Sequence, residues 1–215
     1  MAHGQTTAGG VTMALRTLAA AIALGLGACA APPQPAAAAP APGLSDLPDY
    51  SLDLTHTFVH WEVQHMATST LRGRFDRSSG SVRFDPRTQQ IDVSITVDTA
   101  SVNSGVPVLD GLIRNSSSML DVATFPQATF TARSARFDGE VPRDVDGELT
   151  LRGISQPLTL HALRWKCGLN LLFFREVCGG DFEALIDRSS FGITHSLPFV
   201  ADRVRLLVQV EGVRQ

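Results

Sequence analysis

Tyr50–Phe75, YSLDLTHTFVHWEVQHMATSTLRGRF, is the stretch from which the fold can be worked out. Val59, Trp61 and Val63 alternate with His60, Glu62 and Gln64. Side chains two apart on a strand share a face, so one side of this segment is oily and the other wet. Tyr50–Asp53 and Thr57–His65 read as two strand segments with a bend at Asp53-Leu54-Thr55-His56. Leu71–Phe75 opens the next strand.

The same one-sided pattern recurs downstream. Val82 and Phe84 share a face, and Ile91, Val93, Ile95 and Val97 alternate cleanly with polar residues. Ala128, Phe130 and Ala132 follow, then Leu149 and Leu151, then Leu158, Leu160 and Ala162. Phe182, Ala184 and Ile186 continue it, and Val204, Leu206, Val208 and Val210 close the chain. Turn composition marks Ser79-Gly80, Asp85–Thr88, Asp144–Gly147 and Gly153–Pro157, with a bend over Asp187–Gly192. Ala100–Ala123 breaks the alternation; Asp110, Leu112, Ile113, Met119 and Leu120 suit a short helix or helical turn covering one end of the core. Short strands close in sequence predict an all-β fold, an antiparallel barrel of about eight strands, with a two-sheet sandwich as the alternative. Pattern does not separate a filled interior from a hollow one. With 11 Phe, 2 Trp and 1 Tyr, a hollow interior would suit a hydrocarbon better than a sugar or nucleotide.

The amino-terminal part has a different character. Arg16 precedes the apolar run Leu18–Leu26 and the small residues Gly27-Ala28-Cys29, as in a secretory signal peptide over residues 1–29. The run is much shorter than the roughly 20 residues that span a bilayer. Leu26-Gly27-Ala28-Cys29 resembles a lipoprotein cleavage box, which would make Cys29 the lipidated first residue; ordinary cleavage near Ala30 or Ala31 is the alternative. Residues 30–48 are rich in Ala and Pro and read as a tether, leaving 49–215 as the folded domain. Lys and Arg total 18 against 21 Asp and Glu, net −3, with no basic stripe, so nucleic-acid binding has no electrostatic support. Two cysteines in the folded part of a secreted chain, Cys167 and Cys178, predict a disulfide.

No catalytic motif stands out. His56 and His60 are spaced to share a strand face but lack a third ligand at useful spacing, so no metal is expected. Asp187-Arg188 reads as an ion pair or turn contact at a strand end, not as an acid–base pair.

Taken in order, several stretches resemble the YceI-like family of bacterial periplasmic proteins. They are Tyr50-Ser-Leu-Asp-x-x-His56, Phe58-Val-x-Trp-x-Val-x-His65, Gly73-x-Phe75, Ala100-Ser-Val102 and Phe125-Pro-Gln-Ala-Thr-Phe130. Gly147-Glu-Leu-Thr-Leu-Arg-Gly153, Cys178-Gly179, Asp187-Arg-Ser-Ser-Phe-Gly192 and Val204-x-Leu-x-Val-x-Val complete the set. The resemblance implies a lipocalin-like barrel whose tunnel takes a long isoprenoid or fatty chain, such as a polyprenyl quinone. It implies a periplasmic location, on the outer membrane if Cys29 is lipidated, and, from members that dimerise, a homodimer. No cofactor is expected beyond such a polyprenyl or quinone-like ligand, and no enzyme activity. Val59, Trp61, Val63, Phe84, Val93 and Ile95 are expected to line the tunnel, with Phe130, Leu149, Leu160 and Ile186. His65 and Arg114 are the candidates for a polar mouth. A stress or scaffold module without lipid is the alternative, and an enzyme on a lipid substrate a more distant one. Two segments depart from the family pattern: Asp110–Leu120 is a residue longer, and Leu169–Val177, between the cysteines, is greasier.

Overall fold

The computed structural model describes residues 43–172 and 174–215; the segment read as a signal peptide, Cys29 and most of the segment read as a tether lie outside them. Among the described residues there are eleven strands and one α-helix: β1 Asp49–Leu52, β2 Phe58–His65, β3 Ser69–Phe75, β4 Ser78–Asp85, β5 Gln90–Asp98 and β6 Val102–Asn103. Helix α1, Pro107–Asn115, is followed by β7 Gln127–Asp138, β8 Val141–Leu151, β9 Ile154–Asn170, β10 Arg175–Asp187 and β11 Val200–Arg214. Single 3-10 turns lie at Leu44–Asp46, Thr99–Ser101 and Arg188–Phe191.

All pairings are antiparallel, and they close. Eight strands run β1-β4-β5-β7-β8-β9-β10-β11, and β11 pairs back to β1. β11 is long enough to pair with β1 through Gly212–Arg214 and with β2 through Val200–Gln209. β1 and β2 are thus two halves of one bent staple along β11, as the break at Asp53–His56 suggests. The closed ring rules out the sandwich and leaves few unpaired edges. Outside, charged side chains meet across strands: Arg72–Glu62, Glu62–Arg205 and Arg205–Glu183 form one row over β3, β2, β11 and β10.

The bend between β1 and β2 is held by Asp53, whose carboxylate accepts from Thr55 N and Oγ1 and from His56 Nδ1. The hydrogen bonds from Thr55 and His56 bring the Asp53 carboxyl from its ordinary 3.8 down to about 2. A depressed folded value contributes stability above 3.8 that is lost as pH falls through about 2. Asp53→Ala should therefore flatten the acid side of the melting-temperature profile between about pH 4 and 2, measured by circular dichroism. His56 is shifted the opposite way, upward by its bond to Asp53, so its share is lost as pH rises through its folded value.

Three turn expectations need correction. Ser79-Gly80 and Asp144–Gly147 are not turns; they lie inside β4 and β8, and Ile154–Pro157 belongs to β9, which leaves its turn at Arg152-Gly153. In strands, glycine also marks close approach. A Cβ on Gly147 would sit 2.6 Å from Phe130 Cζ, so the absent side chain makes room for that ring. The turn assigned to Asp144–Gly147 falls instead at Gly139-Glu140. Just before β1, Leu47 is buried and the Pro48 carbonyl accepts from Phe84 N.

The two ends differ. At one, Tyr50, Phe84, Phe137, Trp165 and Phe182 form a connected aromatic cluster, with Phe84 stacked on Phe137 and edge-on to Trp165. At the other lie α1, the Arg188–Phe191 turn and the loop that follows it, packed with Leu151, Ile186 and Ile193. Pro107 opens α1 at a position that needs no N–H. Buried Asp110 accepts from Ser104 N and Oγ, which pins the preceding loop to the helix.

Candidate functional site

The inward faces of the strands do not meet in the middle. They enclose a cavity of about 440 Å³ that runs from the aromatic cluster to α1. Its wall is almost wholly aliphatic and aromatic, and its volume lies within the usual range for small-ligand sites.

Of the twelve residues expected at the site, eleven lie on this wall. Val59, Trp61, Val63 and His65 face in from β2, Phe84 from β4, and Val93 and Ile95 from β5. Phe130, Leu149, Leu160 and Ile186 face in from β7, β8, β9 and β10. Arg114 is the exception: it is not on the wall, and its guanidinium donates to the Val102 carbonyl, tying α1 to β6. On a helix, one residue's offset from the inward Ile113 turns a side chain by about 100°. Trp61 owes its position to Gly73, its partner on β3: a Cβ there would lie 2.6 Å from Trp61 Cε2 and 2.7 Å from the Asn103 carbonyl.

The polar wall residues His65, Arg188, His195 and Ser196 lie at the α1 end, whereas Tyr50, at the aromatic end, has its hydroxyl on Glu176. The exposed wall residues, Leu112 and Ser196, are at this end too, which places the mouth there. His195 is fixed by Ser118, whose hydroxyl lies 3.2 Å from His195 Nδ1 and whose carbonyl accepts from Thr194 N and His195 N.

Arg188 is only 5 % exposed, and all of its guanidinium nitrogens donate to backbone carbonyls. Nε reaches Ala201 at 2.9 Å, Nη1 reaches Ile193 at 3.2 Å and Nη2 reaches Val200 at 2.9 Å. Burial lowers its pKa, partly offset by nearby Asp202. Asp202 in turn accepts from Ser189 N and Oγ, and those bonds hold its carboxyl below the usual range. β11 slips register between Val200 and Val204, which releases the Ala201 carbonyl from the ladder for Arg188. Asp187 and Arg188 do not pair with each other, and Arg188 makes the turn contacts at the strand end. Asp187 bonds Arg203 on the outside, and Arg188 holds the mouth loop from within.

Sequence pattern missed His195 and Ser196, which sit where alternation stops; the α1 residues Leu109 and Leu112 lie in the segment read as covering one end of the core but were not read as wall residues. The Cys167–Cys178 disulfide is present, joining directly paired residues of β9 and β10. Asp53, His56 and Glu211 bring ligand-type atoms within 4.8 Å of one another on the outside of the barrel, although Asp53 and His56 are also engaged with each other. His60 is not in that group.

A sequence model of the YceI-like domain matches residues 50–212. Protein YceI of Salmonella newport is 35 % identical over 170 residues, covering 78 % of this chain and 87 % of the relative. Burkholderia cenocepacia BcnA shares the fold with a TM-score of 0.62 at 23 % identity, over 74 % of this chain and 98 % of BcnA. A polyisoprenoid binding domain from Saccharophagus degradans, implicated in plant cell wall breakdown, aligns with a TM-score of 0.53 at 20 % identity, over 77 % of this chain and 98 % of that domain. On the domain match over residues 50–212 and the 35 % identity to Protein YceI, the chain belongs to the YceI-like family.

Proposed function

We propose that the protein is a periplasmic carrier that holds a long isoprenoid or other apolar lipid chain in its barrel. The observation that carries this is the continuous apolar cavity, which ends on an aromatic floor and opens at a small polar rim. Covering about 300 Å² of a bound chain at about 25 cal/mol per Å² is worth about 7 kcal/mol, so no charged anchor in the wall is needed. The buried cation Arg188 does not supply one, since its donors are taken by carbonyls. A polar head group, as on a polyprenyl quinone, would lie against His65, His195 and Ser196 at the mouth. The Saccharophagus degradans domain, described as polyisoprenoid binding, supports the same ligand class.

The protein acts in this reading by binding, not by catalysis. A lipid on Cys29 and the Ala/Pro tether would keep it at the outer membrane, and a homodimer remains compatible with the carrier role. Organic extraction of the purified, folded protein is expected to release a prenyl or acyl lipid in near-stoichiometric amount, identified by mass spectrometry. Extracts without such a lipid, from protein that also fails to take up added polyprenyl chains, would count against the carrier.

A further inference from the structure

We propose that the tip of the β9–β10 hairpin is a wedge that docks the barrel on an anionic lipid bilayer. The hairpin outruns its neighbours. β9 last meets β8 at His161–Asp144, and β10 first meets β11 at Val177–Val213. Beyond those pairs β9 has only β10 as a strand neighbour, and the last two pairs, Leu169–Glu176 and Asn170–Arg175, have no third strand beside them. A bare two-stranded ribbon is marginal in water, and the Cys167–Cys178 bond ties this one together where it leaves the rim.

On the inward face of β9, Trp165 and Cys167 pack into the core. Leu169 is next in that row, but it has passed the rim and has no opposite wall. It is 65 % exposed, and Leu171, Leu172 and Phe174 around the turn are 73 %, 85 % and 80 % exposed. Four large apolar side chains held in water at one turn call for a covering surface. The tip is narrow and convex, whereas a stable protein contact needs about 800 Å² from each partner. A bilayer needs no matching shape. Lys166 and Arg175 stand exposed just behind the apolar tip, placed to reach lipid phosphates while the tip enters the acyl boundary. Glu176, the acid nearest the turn, is taken up by Tyr50 and Arg214.

The chain also enters the barrel on this side. Gln215 N donates to the Asp49 carbonyl, and Arg175 donates to Gln215 Oε1, so β1 begins beside the hairpin. Docking by the tip therefore sets the aromatic floor toward the bilayer and the mouth, with His195 and Ser196, toward the aqueous side. This placement is independent of what the cavity holds.

The test is flotation of the chain from Ala30 onward, which lacks both the apolar run Leu18–Leu26 and any acyl anchor, with vesicles of phosphatidylethanolamine and phosphatidylglycerol. The protein should float with the vesicles. Leu171→Ser, Leu172→Ser and Phe174→Ser together should lower the bound fraction at least about tenfold. Lys166→Glu with Arg175→Glu should weaken binding and remove most of its salt dependence. Lipid recovered by organic extraction should be unchanged in both, which keeps this test separate from the carrier reading. Equal flotation of the triple variant would overturn the proposal, as would loss of flotation instead through Met66→Ser and Phe199→Ser, exposed residues joined by a hydrogen bond from Met66 N to the Phe199 carbonyl beside the wall residues His65 and Val200. So would absence of flotation together with a dimer in sedimentation velocity that the triple variant abolishes.

Discussion

Trp61→Ala is expected to weaken retention of a bound lipid chain about tenfold, while Glu62→Ala changes it less than about twofold. The two residues are neighbours on β2 and face opposite ways. Trp61 lies on the cavity wall and Glu62 bonds Arg72 and Arg205 on the outer surface. An indole that covers about 60 Å² of a bound chain contributes about 1.5 kcal/mol, which is about a factor of ten. Glu62 bonds surface arginines, exposed Arg72 and partly exposed Arg205, and such pairs contribute about 1 kcal/mol or less to stability and nothing to the cavity. The comparison is read from the dissociation rate of a fluorescent polyprenyl or fatty-chain probe, with a thermal melt showing that both variants fold. Equal effects from the two substitutions would mean that the probe is not held in the cavity. Gly73→Ala should act like a milder Trp61 variant, because the added methyl displaces the indole.

Arg188→Ala should produce the largest loss of stability among single substitutions at the mouth, at least about 3 kcal/mol. The buried guanidinium serves the carbonyls of Ile193, Val200 and Ala201 at once, and alanine leaves all three without that donor. Arg188→Lys should recover only a small part, since one ammonium cannot reproduce the planar fork. The measurement is the urea midpoint at constant slope. The variant should also release lipid faster, because the loop it anchors carries His195 and Ser196 to the mouth. A midpoint shift below about 1 kcal/mol would show that the loop holds its place without Arg188.

The barrel was legible because alternation survives in every strand that walls the cavity. Val59, Trp61 and Val63 read as inward from sequence and are inward in the structure. The glycines misled where strands pass close: Gly80 and Gly147 suggested turns, but each sits where a neighbouring strand leaves no room for a side chain. The mouth was harder to read, because its residues come from a helix and an irregular loop. Arg114 looked like a mouth residue from its charge and ended on a backbone carbonyl. Arg188 read as an ion pair or a turn contact; it makes the turn contact, and the register slip in β11, which frees the Ala201 carbonyl for it, has no sequence signature. His195 is brought to the cavity by Ser118, 77 residues earlier, a contact that no local pattern records.

Native mass spectrometry of the intact protein, purified without detergent, tests the central claim most directly. The account predicts a folded species heavier than the polypeptide by the mass of one prenyl or acyl lipid per chain, with that mass lost on collisional activation. Trp61→Ala should shift the population toward the unliganded mass. A folded protein found only at its polypeptide mass, and unchanged after incubation with polyprenyl and fatty-chain lipids, would contradict it.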